Sequence, residues 1–522
     1  MVSQLVNYSA FATASYPGDA RLIIWTLAWD NHAVLDRLPL FASNIFYPAP
    51  RSLAFNEHLF GVSLFTLPIY ALTRNPVLAY NAVWVLSFVL NGLAMHALLR
   101  RYTGRELASF AGSLVYTFSY YKMLHAHGHL HLVWTWLIPL SLIALHRWND
   151  RPSIARSLLW AITVLLQALT SWYLAVMVAM INVAAAMALA LRWRGECRAR
   201  CGHVLLAAAL VSAAVWPFAR EYRYLEPSAT AEVAANSADI AGYLVPPEHT
   251  WMGRLWMQHI GRGPRWIWGE RTVFIGWTAL ALAMAGGAIG LAMRSRVAMF
   301  YVLVTALALA LSLGPSGGAD GWHVFDLLTR LPGLGAFRAP ARFASMVLVG
   351  VSVLVALAVA ALQARWPART AAAAVILLPL MLSEWYVLDF PLGKPQAFST
   401  PAIYRTAEVK NAHALVSLPE YRGRPDWSLG SDYLFYSMTH WRPIVNGYGR
   451  TEPAEHFRVI SHMVAFPGPN NARTMRRLGI DYVVVHAERI GSEADELIRV
   501  ASGMPEYTLI ARNGSDYLFR VN

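Results

Sequence analysis

Three of the four carboxylates in the first 60 residues are candidates for chemistry: Asp19, Asp30 and Glu57. Acidic residues are thinly spread through this chain, so their proximity along the sequence is notable. A carboxylate beside low-dielectric lipid can be tuned as a general base, or it can hold a metal ion. The alternative is structural, because Pro-Gly-Asp at 17–19 is typical of a turn in which the aspartate accepts backbone N–H groups.

Four histidines alternate with other residues a little further along: His125, His127, His129 and His131. If the segment is extended, alternation places all four imidazoles on one face, where they could bind a metal ion. His125, His127 and His129 are therefore candidate metal ligands. The alternative is that these histidines only form hydrogen bonds with lipid headgroups and water.

Two arginines, Arg338 and Arg342, stand where a long apolar run begins, in the sequence Phe-Arg-Ala-Pro-Ala-Arg-Phe at 337–343. The guanidinium fork matches phosphate geometry, and the N-terminus of a helix adds partial positive charge. The pattern predicts a phosphate site, with anchoring of lipid headgroups as the alternative.

The stretch 219–272 also contains candidates, namely Glu221, Asp239, Pro-Pro-Glu-His at 246–249 and Trp-Ile-Trp-Gly-Glu-Arg at 266–271. Its aromatic residues could stack on a sugar. They could equally form a belt at the membrane interface.

Composition restricts the elements that could position these residues. The chain is 57% hydrophobic and 14% charged, whereas soluble domains are about 25% charged. The net charge of +13 comes almost entirely from arginine. Because no separate basic domain exists, we expect no nucleic-acid binding. Cys197 and Cys201 have no histidine or cysteine partners nearby in sequence, so we expect reduced thiols rather than a zinc site.

Apolar runs predict about ten membrane-spanning helices, since a hydrocarbon core of about 30 Å needs about 20 apolar residues. We place them near 76–99, 106–121, 130–147, 156–171, 173–192, 203–218, 273–292, 297–313, 340–361 and 369–388.

Arginines cluster in alternate gaps between these spans, and the positive-inside rule places those gaps in the cytoplasm. We therefore predict an outer, periplasmic loop with interfacial helices at 1–75, a transmembrane domain at 76–389 with an outer loop at 219–272, and a periplasmic domain at 390–522. The apolar segment 57–73 is short, and we interpret it as a helix lying in the outer interface rather than a span. The N-terminus shows no signal peptide.

Residues 390–522 change character, because short β-like runs appear near 414–418, 482–486, 507–511 and 517–521. Helical patterns lie between them, so we predict a small α/β domain. It shows no phosphate loop, no nucleophile motif and no metal-ligand spacing. A lid, an acceptor-binding domain and a purely structural domain all fit this pattern.

Taken together, these residues resemble the membrane glycosyltransferases of the GT-C fold, such as aminoarabinose transferases and protein mannosyltransferases. Gly18-Asp19 matches the position of that family's acidic residue in the first outer loop. Asn-Glu-His at 56–58 resembles the Glu-Lys pair that opens an interfacial helix there, and Leu-Leu-Arg-Arg-Tyr-Thr-Gly at 98–104 resembles the end of the second helix. On this resemblance we expect the family's first helix to be missing from this chain, and a lone Asp19 replaces the usual acidic pair.

The resemblance implies roles for individual residues. Asp19 would be the catalytic base, with Asp30 about three helical turns further on. Glu57 and His58 would position the donor or a divalent metal, and Arg338 and Arg342 would hold the lipid phosphate. The implied partners are membrane lipid, a polyprenyl-phosphate-linked sugar and an envelope glycan, lipid or protein acceptor.

The leading hypothesis is an inverting glycosyltransferase at the outer face of a bacterial inner membrane. A non-catalytic envelope scaffold is the main alternative. A transporter of lipid-linked glycan is a third, although polar residues at mid-span and repeated halves, which are typical of transporters, are few or absent.

Overall fold

A computed structural model describes most of the chain. The described residues are 8–9, 17–193, 197–223, 226–261, 269–315, 323–331, 333–388, 396–397, 400–420, 428–449, 451–463 and 465–522.

Within these residues the chain is mainly helical, as its apolar runs predict. The α-helices are α1 Pro17–Asp36, α2 Phe60–Thr73, α3 Pro76–Thr103, α4 Glu106–Phe118, α5 Tyr120–His125, α6 Leu130–Val133, α7 Leu137–Asp150, α8 Ile154–Ala168, α9 Trp172–Ala190, α10 Cys197–Ala219, α11 Thr230–Ala235, α12 Ile240–Leu244, α13 Trp251–His259, α14 Trp277–Ala292, α15 Arg296–Leu313, α16 Val324–Thr329, α17 Ala344–Arg365, α18 Pro367–Glu384, α19 Ala407–Asn411, α20 Ser428–Ser437, α21 Ala454–Met463, α22 Pro469–Leu478, α23 Ala487–Ile490 and α24 Ala494–Gly503. The strands are β1 Tyr8–Ser9, β2 Gln396–Ala397, β3 Leu415–Leu418, β4 Tyr482–His486, β5 Tyr507–Asn513 and β6 Asp516–Val521.

Seven helical segments in the described part of the chain are long and apolar enough to cross a membrane: Pro76–Thr103, Leu130–Asp150, Trp172–Ala190, Arg198–Tyr222, Arg296–Leu313, Pro340–Arg365 and Pro367–Glu384. Each corresponds to one of the ten predicted spans. The other three predicted spans form shorter helices, α4 with 13 residues, α8 with 15 and α14 with 16. The protein is thus a multi-pass membrane protein. Helix α2, in the segment predicted to be interfacial, has 14 residues.

One of the two compact units comprises Trp84–Ala126 and Leu130–Phe390, and α17 is its central helix. Helices α4, α14 and α15 pack around α17. Glycines permit the close approach, because a Cβ at Gly112 would lie 2.4 Å from the Ser352 carbonyl oxygen and one at Gly286 would lie 2.0 Å from that of Leu354. Small residues at such contacts are typical of helix packing in membranes, where backbones come close together.

The other compact unit comprises Met1–Val83, His127–His129 and Pro391–Asn522. Its four-stranded sheet has the order β3-β4-β6-β5, with β3 and β4 parallel and the other pairs antiparallel. Apolar side chains of β3, β4 and β6 are buried against α21 and α22. The C-terminal segment therefore has the predicted α/β character. A two-residue antiparallel pairing joins β1 to β2.

Candidate functional site

Asp19 lies in the first turn of α1, in the unit that contains the sheet. Proline is tolerated in the first turn because the amide hydrogen that it lacks would have no helical partner there. A negative charge in this turn also interacts favourably with the helix dipole. The Pro-Gly-Asp sequence, which could have been a simple turn, therefore begins a helix.

Two side chains from distant parts of the sequence lie against the Asp19 carboxylate. The Tyr448 hydroxyl donates a hydrogen bond of 2.8 Å to Oδ1, and His129 Nε2 lies 3.3 Å from Oδ2. The side chain of Asp19 retains 23% exposure, so the carboxylate is held in place but still reaches solvent. We refer to Asp19, His129 and Tyr448 as the Asp19 cluster.

Glycines allow Tyr448 to come this close. A Cβ at Gly18 would lie 2.9 Å from the Tyr448 hydroxyl oxygen, one at Gly449 would lie 2.8 Å from Asn56 Oδ1, and one at Gly447 would overlap the ring of Phe46. The Asn56 amide also donates a hydrogen bond to the Tyr448 carbonyl. The Gly-Tyr-Gly sequence at 447–449 is the signal in the chain that could have identified this residue.

Charged contacts fasten α1 to α20 and so fix the position of Asp19. Asp432 on α20 pairs with Arg21 at 2.8 Å and with Arg489 at 2.9 Å. Further along α1, the ring of His32 stacks on Trp441 with centroids 4.5 Å apart. Helix α1 is therefore held at both ends.

Asp30 lies on the same face of α1 as Asp19, but about 16 Å further along, given the 1.5 Å rise per residue. It has no exposed surface. Burial raises the pKa of its carboxyl well above the usual range, and the nearby Ser63 hydroxyl offsets this only in part. The structure does not bring Asp30 to the Asp19 cluster.

The pKa of Asp30 leads to a prediction about stability. In the unfolded chain this carboxyl ionises above about pH 4, whereas in the folded protein burial raises its pKa and so favours the protonated form. The free energy of unfolding of the wild type, relative to Asp30→Asn, should fall as pH rises above 4, by about 1.4 kcal/mol per pH unit until the folded-state pKa is reached. Thermal unfolding of both proteins in detergent between pH 4.5 and 8 measures this, and a pH-independent difference would refute it.

Glu57 and His58 precede α2 in the same unit. His58 is fully buried, and burial lowers the pKa of its imidazole to about 3, so it is neutral at physiological pH. Its ring packs near Phe41. Glu57 is partly buried. A neutral, enclosed imidazole is better suited to holding the loop in place than to binding an anionic donor.

The histidine run is not extended, contrary to the expectation. His125 ends α5, and His131 lies within α6. His125 Nε2 is 3.7 Å from Glu270 Oε2, while His129 belongs to the Asp19 cluster, and His127 is buried. Among the described residues, no group of three or more His, Cys, Asp or Glu side chains could hold a metal ion.

Arg342 and Glu270 form a buried ion pair in the other unit. Nε and Nη2 of Arg342 donate to the same Glu270 oxygen, at 3.0 and 2.7 Å. The guanidinium also lies over the ring of Tyr173, 4.6 Å from its centroid. The Arg342 side chain is only 9% exposed. Its charge is thus already neutralised within the protein.

Arg338 is more open than Arg342. It pairs with Glu232 at 3.0 Å, and 35% of its side chain is exposed. The backbone N–H groups of Arg338 and Ala339 both donate to the Tyr173 hydroxyl. An anion could reach Arg338 by exchanging with the exposed Glu232, whereas at Arg342 it would have to displace a carboxylate that is only 16% exposed.

Of the candidates in the stretch 219–272, Asp239 accepts a hydrogen bond from the Ala241 N–H and caps α12. Glu221 pairs with the neighbouring Arg220, directly after the end of α10. The Trp-Ile-Trp sequence at 266–268 lies outside the described residues. The aromatic residues of this stretch suggested stacking on a sugar. In its described part, the clearest structural role is that of Glu270, which pairs with Arg342.

One protein-family model matches the sequence of the chain. A family model described as Domain of unknown function (DUF6311) matches residues 27–383. No curated protein matches the chain significantly in sequence.

Solved structures of two glycosyltransferases are similar to the chain. The arabinofuranosyltransferase AftD from Mycobacteria has a TM-score of 0.58 and 14% identity over 99% of this chain. The oligosaccharyltransferase of Archaeoglobus fulgidus, solved with Zn and sulfate, has a TM-score of 0.50 and 12% identity over 91% of this chain. The chain spans 40% of the first protein and 65% of the second. It has the GT-C fold, as the sequence predicted.

Proposed function

The chain belongs to the family described as Domain of unknown function (DUF6311), and from its GT-C fold and the Asp19 cluster we propose that it is a glycosyltransferase. The proposed donor is a polyprenyl-phosphate-linked sugar, and the proposed acceptor is an envelope glycan, lipid or protein. The reaction would take place at the outer face of a bacterial inner membrane, with residues 390–522 in the periplasm. The observation that best supports this is a partly exposed carboxylate held by Tyr448 and His129.

In the proposed reaction Asp19 acts as the general base. Its carboxylate takes the proton of an acceptor hydroxyl as that oxygen attacks the anomeric carbon of the donor. The bond from this carbon to the phosphate oxygen breaks, and polyprenyl phosphate leaves with the electron pair. Attack opposite the leaving group inverts the anomeric centre. Tyr448 and His129 fix the direction in which the carboxylate faces the acceptor, which is how positioning lowers the barrier.

The described residues do not provide a metal site beside this base. Among the residues that the structure describes, no group of three or more His, Cys, Asp or Glu side chains that could hold a metal ion includes Asp19. We therefore assign no step of the reaction to a metal ion.

In the other unit, Arg338 is the proposed contact for the lipid phosphate. Its exposure and its exposed partner Glu232 leave the guanidinium available for exchange. Arg342, which pairs with Glu270 beneath the surface, would support this segment rather than bind the donor directly.

Tyr448 is proposed as a positioning residue, and Tyr448→Phe tests this. Without the hydroxyl donor the charged form of the Asp19 carboxylate is less stabilised, so the acidic limb of the pH–rate profile should move to higher pH. We expect a loss in kcat of about tenfold at pH 7, in line with the loss of a hydrogen bond to a charged group. Tyr433→Phe, which removes a hydroxyl elsewhere in the same unit, should leave the profile in place. A uniform loss at every pH would indicate a structural role only.

Deletion of the gene tests the function class. We expect envelope glycan to lose a sugar residue and its polyprenyl-phosphate-linked donor to accumulate, both detected by mass spectrometry of extracts. Accumulation of a lipid-linked glycan confined to the cytoplasmic leaflet would favour a transporter. Loss of an envelope assembly with unchanged donor levels would favour a scaffold.

A further inference from the structure

A cavity of about 180 Å³ lies among α4, α14, α17 and α18, in the unit that contains α17. Its walls are almost entirely apolar, and representative lining residues are Leu107, Leu282, Leu362, Ala374 and Leu378. Arg369 also lines it, together with Thr370 and Trp366. We call this cavity the α18 groove.

The groove runs along α18, a helix of which few residues are buried within the protein. Only Thr370, Met381 and Glu384 of this helix are buried. In the apolar window of α18, 17% of the residues are buried inside the protein, against 78% for the segment that contains α17. The sequence gives a reason, since four consecutive alanines at 371–374 provide little side-chain volume. Two of these alanines, Ala373 and Ala374, line the groove.

The dimensions of the groove suit a lipid chain. From Arg369 to Leu378 the helix rises about 14 Å, close to half of a hydrocarbon core of about 30 Å. The groove therefore extends roughly the depth of one leaflet. An apolar cavity of about 150 Å³ inside a protein is large enough to bind benzene, so 180 Å³ accommodates part of an acyl chain.

Positive charge marks one end of the groove. Arg369 lines the groove, and Arg105 immediately precedes α4. Arg365 ends α17, and its guanidinium lies 5.8 Å from the ring centroid of Trp366. None of these three arginines forms an ion pair with a carboxylate in the described part of the chain. This is the end that the positive-inside rule places in the cytoplasm. An anionic headgroup above an acyl chain complements this arrangement.

We propose that the α18 groove binds one acyl chain of an anionic phospholipid of the inner leaflet, whose phosphate lies against Arg369 and Arg365. The combination of an apolar groove and arginines at one end, none of which pairs with a carboxylate among the described residues, distinguishes it from ordinary lipid contact. The proposal stands independently of the glycosyltransferase activity.

Photo-crosslinking of the full-length protein in nanodiscs tests the proposal. The probe is phosphatidylglycerol with a diazirine in its acyl chain, compared with phosphatidylcholine that carries the same chain. We expect peptides from α4 and α18 to be labelled more by phosphatidylglycerol. The preference should fall about fivefold for each arginine removed in Arg365→Gln and Arg369→Gln, the effect of one basic residue near an anionic surface.

A matched pair of substitutions separates the groove from the rest of the helix. Ala374→Phe fills the groove and should abolish labelling of α4, whereas Ala372→Phe adds the same ring at an exposed position that does not line the groove. Equal thermal stability of the two variants confirms that both fold. Labelling that does not depend on the headgroup, that spreads evenly over the lipid-facing helices, or that persists in Ala374→Phe would overturn the proposal. If both lipids label the groove equally and label nothing else, the groove binds acyl chains without selecting a charged headgroup. That result would also overturn the proposal.

Discussion

Asp19→Asn is expected to reduce the rate of sugar transfer at least about 100-fold, while the protein remains folded. A positioned general base contributes about 10² to 10⁴ in rate, and the amide keeps the shape of the side chain but cannot accept the acceptor proton. The Tyr448 hydroxyl can still donate to the amide oxygen of the variant, so the local structure should persist. The measurement is the release of polyprenyl phosphate from lipid-linked donor, with thermal unfolding as the check on folding.

Two further variants provide controls for this result. Asp36, at the end of the same helix, pairs with His32 at the surface, so Asp36→Asn should retain activity. Asp19→Glu keeps the charge but moves it by one methylene, and displacements of about 1 Å can cost about 100-fold. Full activity in Asp19→Asn, or an equal loss in Asp36→Asn, would rule out Asp19 as the base.

Glu270→Ala is expected to be the most destabilising of the substitutions considered, by about 3–5 kcal/mol. It removes the carboxylate that accepts two hydrogen bonds from the Arg342 guanidinium, and breaking a buried ion pair from one side is costly. The free energy of unfolding in detergent, measured with a chemical denaturant, gives the comparison.

Glu232→Ala is the matched control for this ion pair. Glu232 pairs with Arg338 at the surface, where its side chain is 40% exposed, and exposed ion pairs contribute about 0–1 kcal/mol. We expect a change within that range. If both variants lose the same small amount of stability, the buried pair does not stabilise the segment before α17.

Hydropathy predicted the positions of the seven long apolar helices because the bilayer dictates their composition directly. A helix that crosses lipid must be apolar along its length, so its position is visible in the sequence. The limits of this approach appear in α4, where a predicted span proves to be a helix of 13 residues. Its burial depends on packing against α17 through Gly112, a tertiary contact that hydropathy does not report.

Asp19 could be singled out from sequence, but its partners could not. Tyr448 is 429 residues away in the chain, and no local pattern links two positions at such a distance. The glycines at 447 and 449 mark a close backbone approach, but they do not say what is approached.

The ion-pair partners of Arg338 and Arg342 were a second feature that the sequence could not predict. The spacing of Arg338 and Arg342 predicted an anion site, and the structure places a glutamate against each arginine. An arginine is neutralised by a carboxylate of the same protein only if the folded loops bring the two together. The loop that carries Glu270 to Arg342 is an example. The histidine run differs for a related reason, because helices α5 and α6 replace the extended segment that alternation favoured.

The most direct test of glycosyl transfer uses purified protein in liposomes made with the total lipid and envelope glycan extract of the deletion strain. That extract should contain the accumulated donor and the unmodified acceptor, so neither needs to be identified beforehand. We predict that wild-type protein releases polyprenyl phosphate, detected by mass spectrometry, and that Asp19→Asn does not. If the wild type releases none, or if Asp19→Asn releases as much as the wild type, the proposed activity or the proposed base is contradicted.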